Sequence, residues 1–268
     1  MAIRDRFDLV IFDWAGTMVD FGCHAPVSAL RAAFAQRAVT ISDVQVRRDM
    51  GQSKEDHVRA LLADHEVAQA WEKAHGRRSD DADVRALMID LGPLMREQAA
   101  RAALLIEGAR TAVEALRAEG IKVASSTGYT REMMQPVLQA AAAQGYVPDH
   151  LVCSGETPHG RPTPLMIYKA CAELGVWPLS RVVKVDDTEA GVREGRAAGC
   201  FTVGVSASGN QVGLSRDALQ ALPPADRAAR IAAAETSLRA AGADAVIETV
   251  EQLIPVLQSA AERRVQRT

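Results

Sequence analysis

Apolar positions in this chain follow two different periods, and the period changes along its length. Residues 7–14 (Phe-Asp-Leu-Val-Ile-Phe-Asp-Trp) form a short, mainly apolar run with an aspartate near its C-terminal end, the pattern of a parallel strand covered on both faces. The loop Ala15-Gly16-Thr17 follows at once. From residue 24 to about residue 103 only helical spacing is found, which predicts helices over 27–38, 44–50, 53–63, 67–74 and 83–102. After Gly108 the elements alternate: helix 109–119, strand 121–126, helix 131–144, strand 151–153, helix 164–174, strand 181–186, helix 190–198 and strand 200–205. Residues 215–268 read as helical except for Ala245-Val246-Ile247, a candidate edge strand.

Such alternation requires right-handed crossovers, so the expected fold is α/β: a doubly wound parallel sheet with an inserted α-helical cap. The division predicted is a catalytic core of residues 1–21 and 104–268 and a helical cap of residues 22–103. Open parallel sheets bind ligands beyond the C-terminal ends of their strands. Those ends read Asp13-Trp14-Ala15-Gly16-Thr17, Ser126-Thr127-Gly128-Tyr129 and Asp186-Asp187-Thr188. Carboxylates and a hydroxyl with glycine are thereby expected on one edge.

Composition then excludes several classes. Hydrophobic residues make up 48% of the 268, too many for a disordered chain. With 31 basic against 34 acidic residues and 4% aromatics, there is no electrostatic or stacking footprint for nucleic acid. Apolar runs fall far short of the roughly 20 residues that span a bilayer. Residues 1–9 carry charge throughout and show no signal-peptide pattern, so a cytoplasmic location is expected. Cys23, Cys153, Cys171 and Cys200 have neither disulfide-framework nor zinc-ligand spacing. Only five basic residues are lysines, Lys54, Lys73, Lys122, Lys169 and Lys184; where this chain merely wants positive charge, it uses arginine.

Carboxylates at two strand ends suit a hard divalent cation such as Mg²⁺, which takes a few oxygen ligands together with water and substrate phosphate. An aspartate beside such an ion can also attack phosphorus. Asp13 is the candidate nucleophile and Asp187 the candidate metal partner, although either residue alone fits a cap or a turn equally well. Read together, Asp13, Thr127, Arg161 in Gly160-Arg161-Pro162 and Asp187 occur in the order of the four motifs of the haloacid dehalogenase superfamily, which this chain resembles over nearly its whole length. The resemblance implies that they act as nucleophile, phosphoryl-oxygen donor, charge neutraliser and metal ligand.

Two departures stand out. Phosphatases of that superfamily usually carry an aspartate two residues after the nucleophile to protonate the leaving alkoxide, and here that position is Ala15. Losing such an acid costs roughly 10² to 10⁴ in rate for a phosphomonoester. Members also commonly have glycine before the metal aspartate and a second acid four residues after it, where this chain has Asp186 and Gly191. Asp186 and Asp187 are therefore open to exchanging roles, with Glu189 a candidate for the outer metal shell; Asp187 is preferred because it precedes Thr188.

The helical insert offers a different chemistry. In Met50-Gly51-Gln52-Ser53-Lys54-Glu55-Asp56-His57, Ser53 and Asp56 have capping-box spacing, which puts Lys54 in a first helical turn and His57 on the same face. A helix N-terminus disfavours a cation and pushes lysine toward the nucleophilic free amine. Glu55 and Asp56 oppose this, so burial has to help. A solvated lysine is the competing reading.

Together Phe12-Asp13-Trp14-Ala15-Gly16-Thr17, Gly22-Cys23-His24-Ala25-Pro26, Asp56-His57-Val58-Arg59-Ala60-Leu61, residues 126–134 and Gly160-Arg161-Pro162 closely resemble the phosphonatase family, the phosphonoacetaldehyde hydrolases. The resemblance implies that Lys54 condenses with the substrate aldehyde. The protonated imine then draws electrons from the carbon–phosphorus bond, so the leaving group is an enamine and Ala15 is accounted for. It further implies Mg²⁺ on Asp13, the Ala15 carbonyl and Asp187; phosphoryl contacts from Thr127, Gly128 and Arg161; and His57, Tyr129 and Met50 around the imine, with His57 or a water it orients moving protons. Cys23 falls in a matching segment as a further substrate-side residue, and Trp14 is expected in the core. A homodimer through the cap is implied as well, with residues 24–38 a candidate apolar face. The alternatives are a phosphate monoester phosphatase on the same fold, a hydrolase of a related carbonyl phosphonate, and a non-catalytic binder of a phosphorylated ligand.

Overall fold

The computed structural model of the protein describes residues 2–265. Six strands form one parallel sheet: β1 (Leu9–Phe12), β2 (Lys122–Thr127), β3 (His150–Cys153), β4 (Val182–Asp186), β5 (Phe201–Val205) and β6 (Ala245–Ile247), in the order β3-β2-β1-β4-β5-β6. The order reverses at β1, which pairs Phe12 with Ser125 of β2 on one side and with Val185 of β4 on the other. Strand ends at such a switch point leave a crevice, and Asp13, Thr127 and Asp186 stand around it. Every residue of β1 is buried. Val10 and Phe12 join one apolar cluster while Leu9 and Ile11 join the cluster on the opposite face, which explains the unbroken apolar run.

The insert after β1 carries five helices: α1 (His24–Gln36), α2 (Asp43–Arg48), α3 (Lys54–Ala63), α4 (His65–His75) and α5 (Asp81–Arg101). The remaining helices are α6 (Ala109–Ala118), α7 (Arg131–Ala143), α8 (Leu165–Leu174), α9 (Glu189–Ala198), α10 (Arg216–Gln220), α11 (Pro224–Ala241) and α12 (Leu253–Val265). Helix α5 packs along both α1 and α7, so the insert lies against the helix that follows β2. One continuous apolar cluster runs from Phe34, Trp71, Leu91 and Met95 of the insert to Phe12, Val183 and Val203 of the sheet. Among the described residues no helix is long and apolar enough to cross a membrane.

Element boundaries differ from the periodicity where a polar side chain starts the helix. Helix α1 begins three residues before the first residue predicted, because Asp20 accepts hydrogen bonds from the His24 and Ala25 backbone N–H groups at 3.0 and 2.9 Å. Helix α4 likewise begins two residues early, with Asp64 accepting from Glu66 and Val67. Strand β1 is shorter than residues 7–14: Phe7 is buried but precedes the ladder, and Trp14 has left it for the turn that carries Ala15 and Gly16.

Candidate active site

Asp13 directly follows β1, Asp186 ends β4 and Asp187 follows it, and one carboxylate oxygen from each lies within 4.8 Å of the others. The turn after β1 is tight because Gly16 has φ +80, and a Cβ there would meet Asp187 Oδ2 at 2.4 Å. The Gly16 carbonyl is fixed by the Ser208 hydroxyl at 2.6 Å. Asp187 accepts from the Asn210 N–H at 2.8 Å and the Cys23 thiol at 3.2 Å on Oδ2, with the Thr17 hydroxyl 3.4 Å from Oδ1.

Cations face this cluster from the other side. Arg161 donates to Asp13 Oδ1 at 2.7 Å, to Glu194 at 3.0 Å and to the Ser126 carbonyl at 2.6 Å, and lies 3.2 Å from Asp186. Lys184, fully buried in β4, donates to Ser126 Oγ at 2.8 Å and stands 3.0 Å from Asp186 and 3.3 Å from Glu194. Motif order and periodicity give neither Lys184 nor Glu194 a place in the site. A signal for both is present: Lys184 interrupts Val182-Val183-Lys184-Val185, and Glu194 lies on the helical face that Gly191, Gly195 and Ala198 bury.

Four buried carboxylates, Asp13, Asp186, Asp187 and Glu194, thus face two buried cations in this network, Arg161 and Lys184. Burial and the Asp186 charge push Asp13 up to about 6 despite Arg161. Burial with the charges of Asp13 and Asp186 pushes Asp187 well above the carboxylate range. Asp186 goes the other way, because Arg161, Lys184 and two hydrogen bonds from Thr188 outweigh its burial. A divalent cation would relieve the excess of carboxylates over these two cations, and an all-oxygen donor set suits a hard one. The residues present therefore fit a divalent metal ion.

The unusual pair at 186 and 191 has a steric reason. A Cβ on Gly191 would lie 1.9 Å from Asp186 Cγ, so the Asp186 carboxylate fills the space that a side chain at 191 would need. That carboxylate cannot swing aside cheaply, since the Thr188 N–H and hydroxyl hold it at 3.0 and 2.7 Å. Gly191→Ala is expected to destabilise the fold by about 1–3 kcal/mol through overpacking, read as a lowered thermal midpoint. A midpoint equal to that of the unsubstituted protein would contradict the crowding.

Lys54 opens α3, with Ser53 Oγ accepting the Asp56 N–H at 3.1 Å. Only half of the anticipated capping box forms: Asp56 Oδ2 takes the Ser53 hydroxyl at 2.5 Å instead of its backbone N–H. Lys54 is 2% exposed, its Nζ 5.1 Å from the centroid of the Tyr129 ring. Burial lowers its pKa to about 8, against the pull of Asp13. Asp13, Ala15, Cys23, Met50, Gly51, Lys54, Thr127, Gly128, Tyr129 and Arg161 line one cavity of about 20 Å³, room for a single water molecule. In this conformation the cavity holds little beyond that water.

His57 stands apart from that lining. It is buried, its Nε2–H donates to the Val46 carbonyl at 2.8 Å, and burial drives its pKa down to about 3, so the ring is neutral. Nδ1 has no hydrogen-bond partner among the described residues. Trp14 is in the core against Tyr146, and all four cysteines are buried free thiols. Glu189 points elsewhere, accepting from Ser237 and Arg193. Thr127 accepts the Tyr129 N–H at 3.2 Å, which turns the chain at the end of β2 toward the cavity.

The switch-point carboxylates, the arginine behind Asp13 and the inserted helices define a haloacid dehalogenase-like hydrolase, and the profile of that family matches residues 7–199. A phosphonoacetaldehyde hydrolase of Paraburkholderia xenovorans is 46% identical over 248 residues, 92% of this chain and 93% of that protein. One from Bacillus cereus is 39% identical over 253 residues, covering 94% and 96%. The crystal structure of a phosphonoacetaldehyde hydrolase-like protein from Oleispira antarctica superposes with a TM-score of 0.94 at 39% identity, over 96% of this chain and 93% of that one. The chain belongs to the haloacid dehalogenase-like hydrolases and, within them, to the phosphonoacetaldehyde hydrolase family.

Proposed function

We propose that the chain hydrolyses the carbon–phosphorus bond of phosphonoacetaldehyde to acetaldehyde and phosphate, using a Schiff base on Lys54 and a phosphoryl group on Asp13. The carrying observation is a buried lysine in the same cavity as Asp13, with alanine where an alkoxide would need an acid. Lys54 Nζ adds to the aldehyde and water leaves, giving a protonated imine. Asp13 attacks phosphorus, and the electrons of the breaking carbon–phosphorus bond pass to the iminium nitrogen, forming an enamine. Protonation at carbon restores an imine, which water hydrolyses to acetaldehyde and free Lys54. A second water releases phosphate from Asp13.

In this reading residues 22–103 act as a cap that brings Lys54 to Asp13. Mg²⁺ would be held by Asp13, the Ala15 carbonyl and Asp187, and when bound it neutralises phosphoryl charge. Asp187 is favoured over Asp186 because the cations Arg161 and Lys184 already lie 3.2 and 3.0 Å from Asp186 Oδ2, whereas the Asp187 oxygens meet the neutral donors Asn210, Cys23 and Thr17. Thr127, Gly128 and Arg161 face the phosphoryl group, and Met50, Cys23 and Tyr129 wall the carbon end. His57 ties α3 to α2 through the Val46 carbonyl, and in this reading it or a water it orients moves protons at the imine. A cytoplasmic homodimer belongs to the same reading, with Ile89 of α5, 75% exposed, an apolar side chain that a dimer would cover.

The test is to incubate the protein with Mg²⁺ and phosphonoacetaldehyde, with borohydride in a parallel sample, and follow phosphate, acetaldehyde and the mass of the Lys54 peptide. Phosphate with acetaldehyde and a reduced two-carbon adduct on Lys54 are expected. Turnover of phosphate esters without an adduct would favour the monoesterase. The pH dependence has a definite sign. A lysine depressed to about 8 becomes the free amine as pH rises through that value, so trapping should climb between pH 7 and 9 and then level off. A rise only near pH 10 would mean a solvated lysine.

A further inference from the structure

A second charged contact between the insert and the sheet layer lies outside the catalytic cavity. Arg47, near the C-terminal end of α2, donates to the Gly22 carbonyl at 2.8 Å, the Asn210 carbonyl at 3.0 Å, Asn210 Oδ1 at 3.2 Å and the Gly213 carbonyl at 3.2 Å. The contact is reciprocal, since Asn210 Nδ2 donates to the Arg47 carbonyl at 2.8 Å. Gly213 leaves room for it: at φ +62, a Cβ there would meet Arg47 Cζ at 2.7 Å. One guanidinium thus binds carbonyls from the turn after β1 and from the loop after β5.

The same Asn210 faces the site. Its backbone N–H holds Asp187 Oδ2 at 2.8 Å, and Asn210 itself is 5% exposed. On the other side, Arg47 is followed by the loop Asp49-Met50-Gly51-Gln52-Ser53 that leads into Lys54. That loop touches the sheet layer with no clearance, because a Cβ on Gly128 would meet the Gln52 carbonyl at 2.3 Å. Asn210 therefore joins the segment that delivers Lys54 to the loop that orients Asp187.

We propose that Arg47 and Asn210 form a latch that positions both halves of the site: docking of Arg47 seats the Lys54 segment and, through the Asn210 peptide, holds Asp187 in its ligating orientation. Neither residue lines the catalytic cavity, so both are positioning residues. The inference rests on the proposed metal and imine roles of Asp187 and Lys54. It requires arginine in particular, because one fork serves four acceptors in two loops and a lysine ammonium does not match that geometry.

The experiment is a double-mutant cycle on the full chain with Arg47→Ala, Asn210→Ala and the pair, plus Arg47→Lys, each checked for an unchanged far-UV spectrum and thermal midpoint. Two readouts are taken: Mn²⁺ binding without substrate, by the loss of free-ion EPR signal, and the rate of borohydride trapping of Lys54. Each single alanine variant is expected to weaken Mn²⁺ binding several-fold and slow trapping about 100-fold, the cost of misplacing reacting groups by about 1 Å. The pair should be no worse than the worse single variant, and Arg47→Lys should resemble Arg47→Ala. Mn²⁺ binding unchanged in Arg47→Ala, or losses that multiply in the pair, would overturn the latch. An unsubstituted protein that gives no Lys54 adduct would instead overturn the imine reading, and one that binds no Mn²⁺ the metal reading.

Discussion

Lys54→Arg is expected to abolish carbon–phosphorus cleavage, by roughly 10⁴-fold or more in kcat, as for loss of a covalent catalyst. The substitution keeps the positive charge and much of the length, so it separates charge from amine chemistry. A guanidinium stays protonated in the protein and does not condense with an aldehyde. Lys54 occupies a fully enclosed place beside Tyr129 in which burial favours the neutral amine. The larger, permanently charged arginine loses that advantage and crowds a cavity of about 20 Å³. The measurement is phosphate and acetaldehyde release at pH 8 with Mg²⁺, together with the peptide mass after borohydride. Activity within tenfold of the unsubstituted protein would remove the imine from the mechanism, leaving Lys54 as a phosphate-binding cation.

Local patterns made the fold and part of the site legible. Short strand-like runs of four to six residues, each ending near Asp or Thr, located the strand ends, and parallel alternation brought Asp13, Thr127 and Asp187 to one edge. Lys54 was visible because Ser53 caps its helix and because lysine is rare in this chain. What stayed hidden depends on packing between distant segments. Asp20 starts α1 from outside any ordinary cap position, so periodicity alone put the helix start too late. Glu194 and Lys184 take their meaning from Arg161 and Ser126, which reach them only in the folded sheet. The Asp186 and Gly191 departure looked ambiguous as sequence, and the structure shows that one residue occupies the other's space. His57 shares the buried face of α3 with Lys54 as its spacing implied, but its Nε2 is committed to Val46.

Asp13→Asn should stop phosphoryl transfer while leaving imine formation intact. The carboxamide keeps the shape of the side chain but is a poor nucleophile toward phosphorus, so a loss of roughly 10⁴ to 10⁶ in phosphate release is expected. Lys54 remains able to condense with the aldehyde, and borohydride should still fix a phosphonate-bearing adduct on its peptide. That combination, an adduct without phosphate, assigns the two covalent steps to two residues. Loss of both would instead mean that Asp13 is needed to admit the substrate. The same variant has a signed effect on stability. Asp13 is raised to about 6 from the ordinary 3.8, chiefly by burial and by Asp186, so its ionised form burdens the folded state at pH values above 6. That burden fades as pH falls from 6 toward 3.8, where the unfolded chain is protonated too. In metal-free buffer at pH 8, Asp13→Asn should therefore melt higher than the unsubstituted protein, with the gap closing near pH 4 and shrinking when Mg²⁺ is added. A lower melting point at pH 8 would mean that the 2.7 Å pairing with Arg161 outweighs the repulsion from Asp186, and that the cluster is stable without a cation.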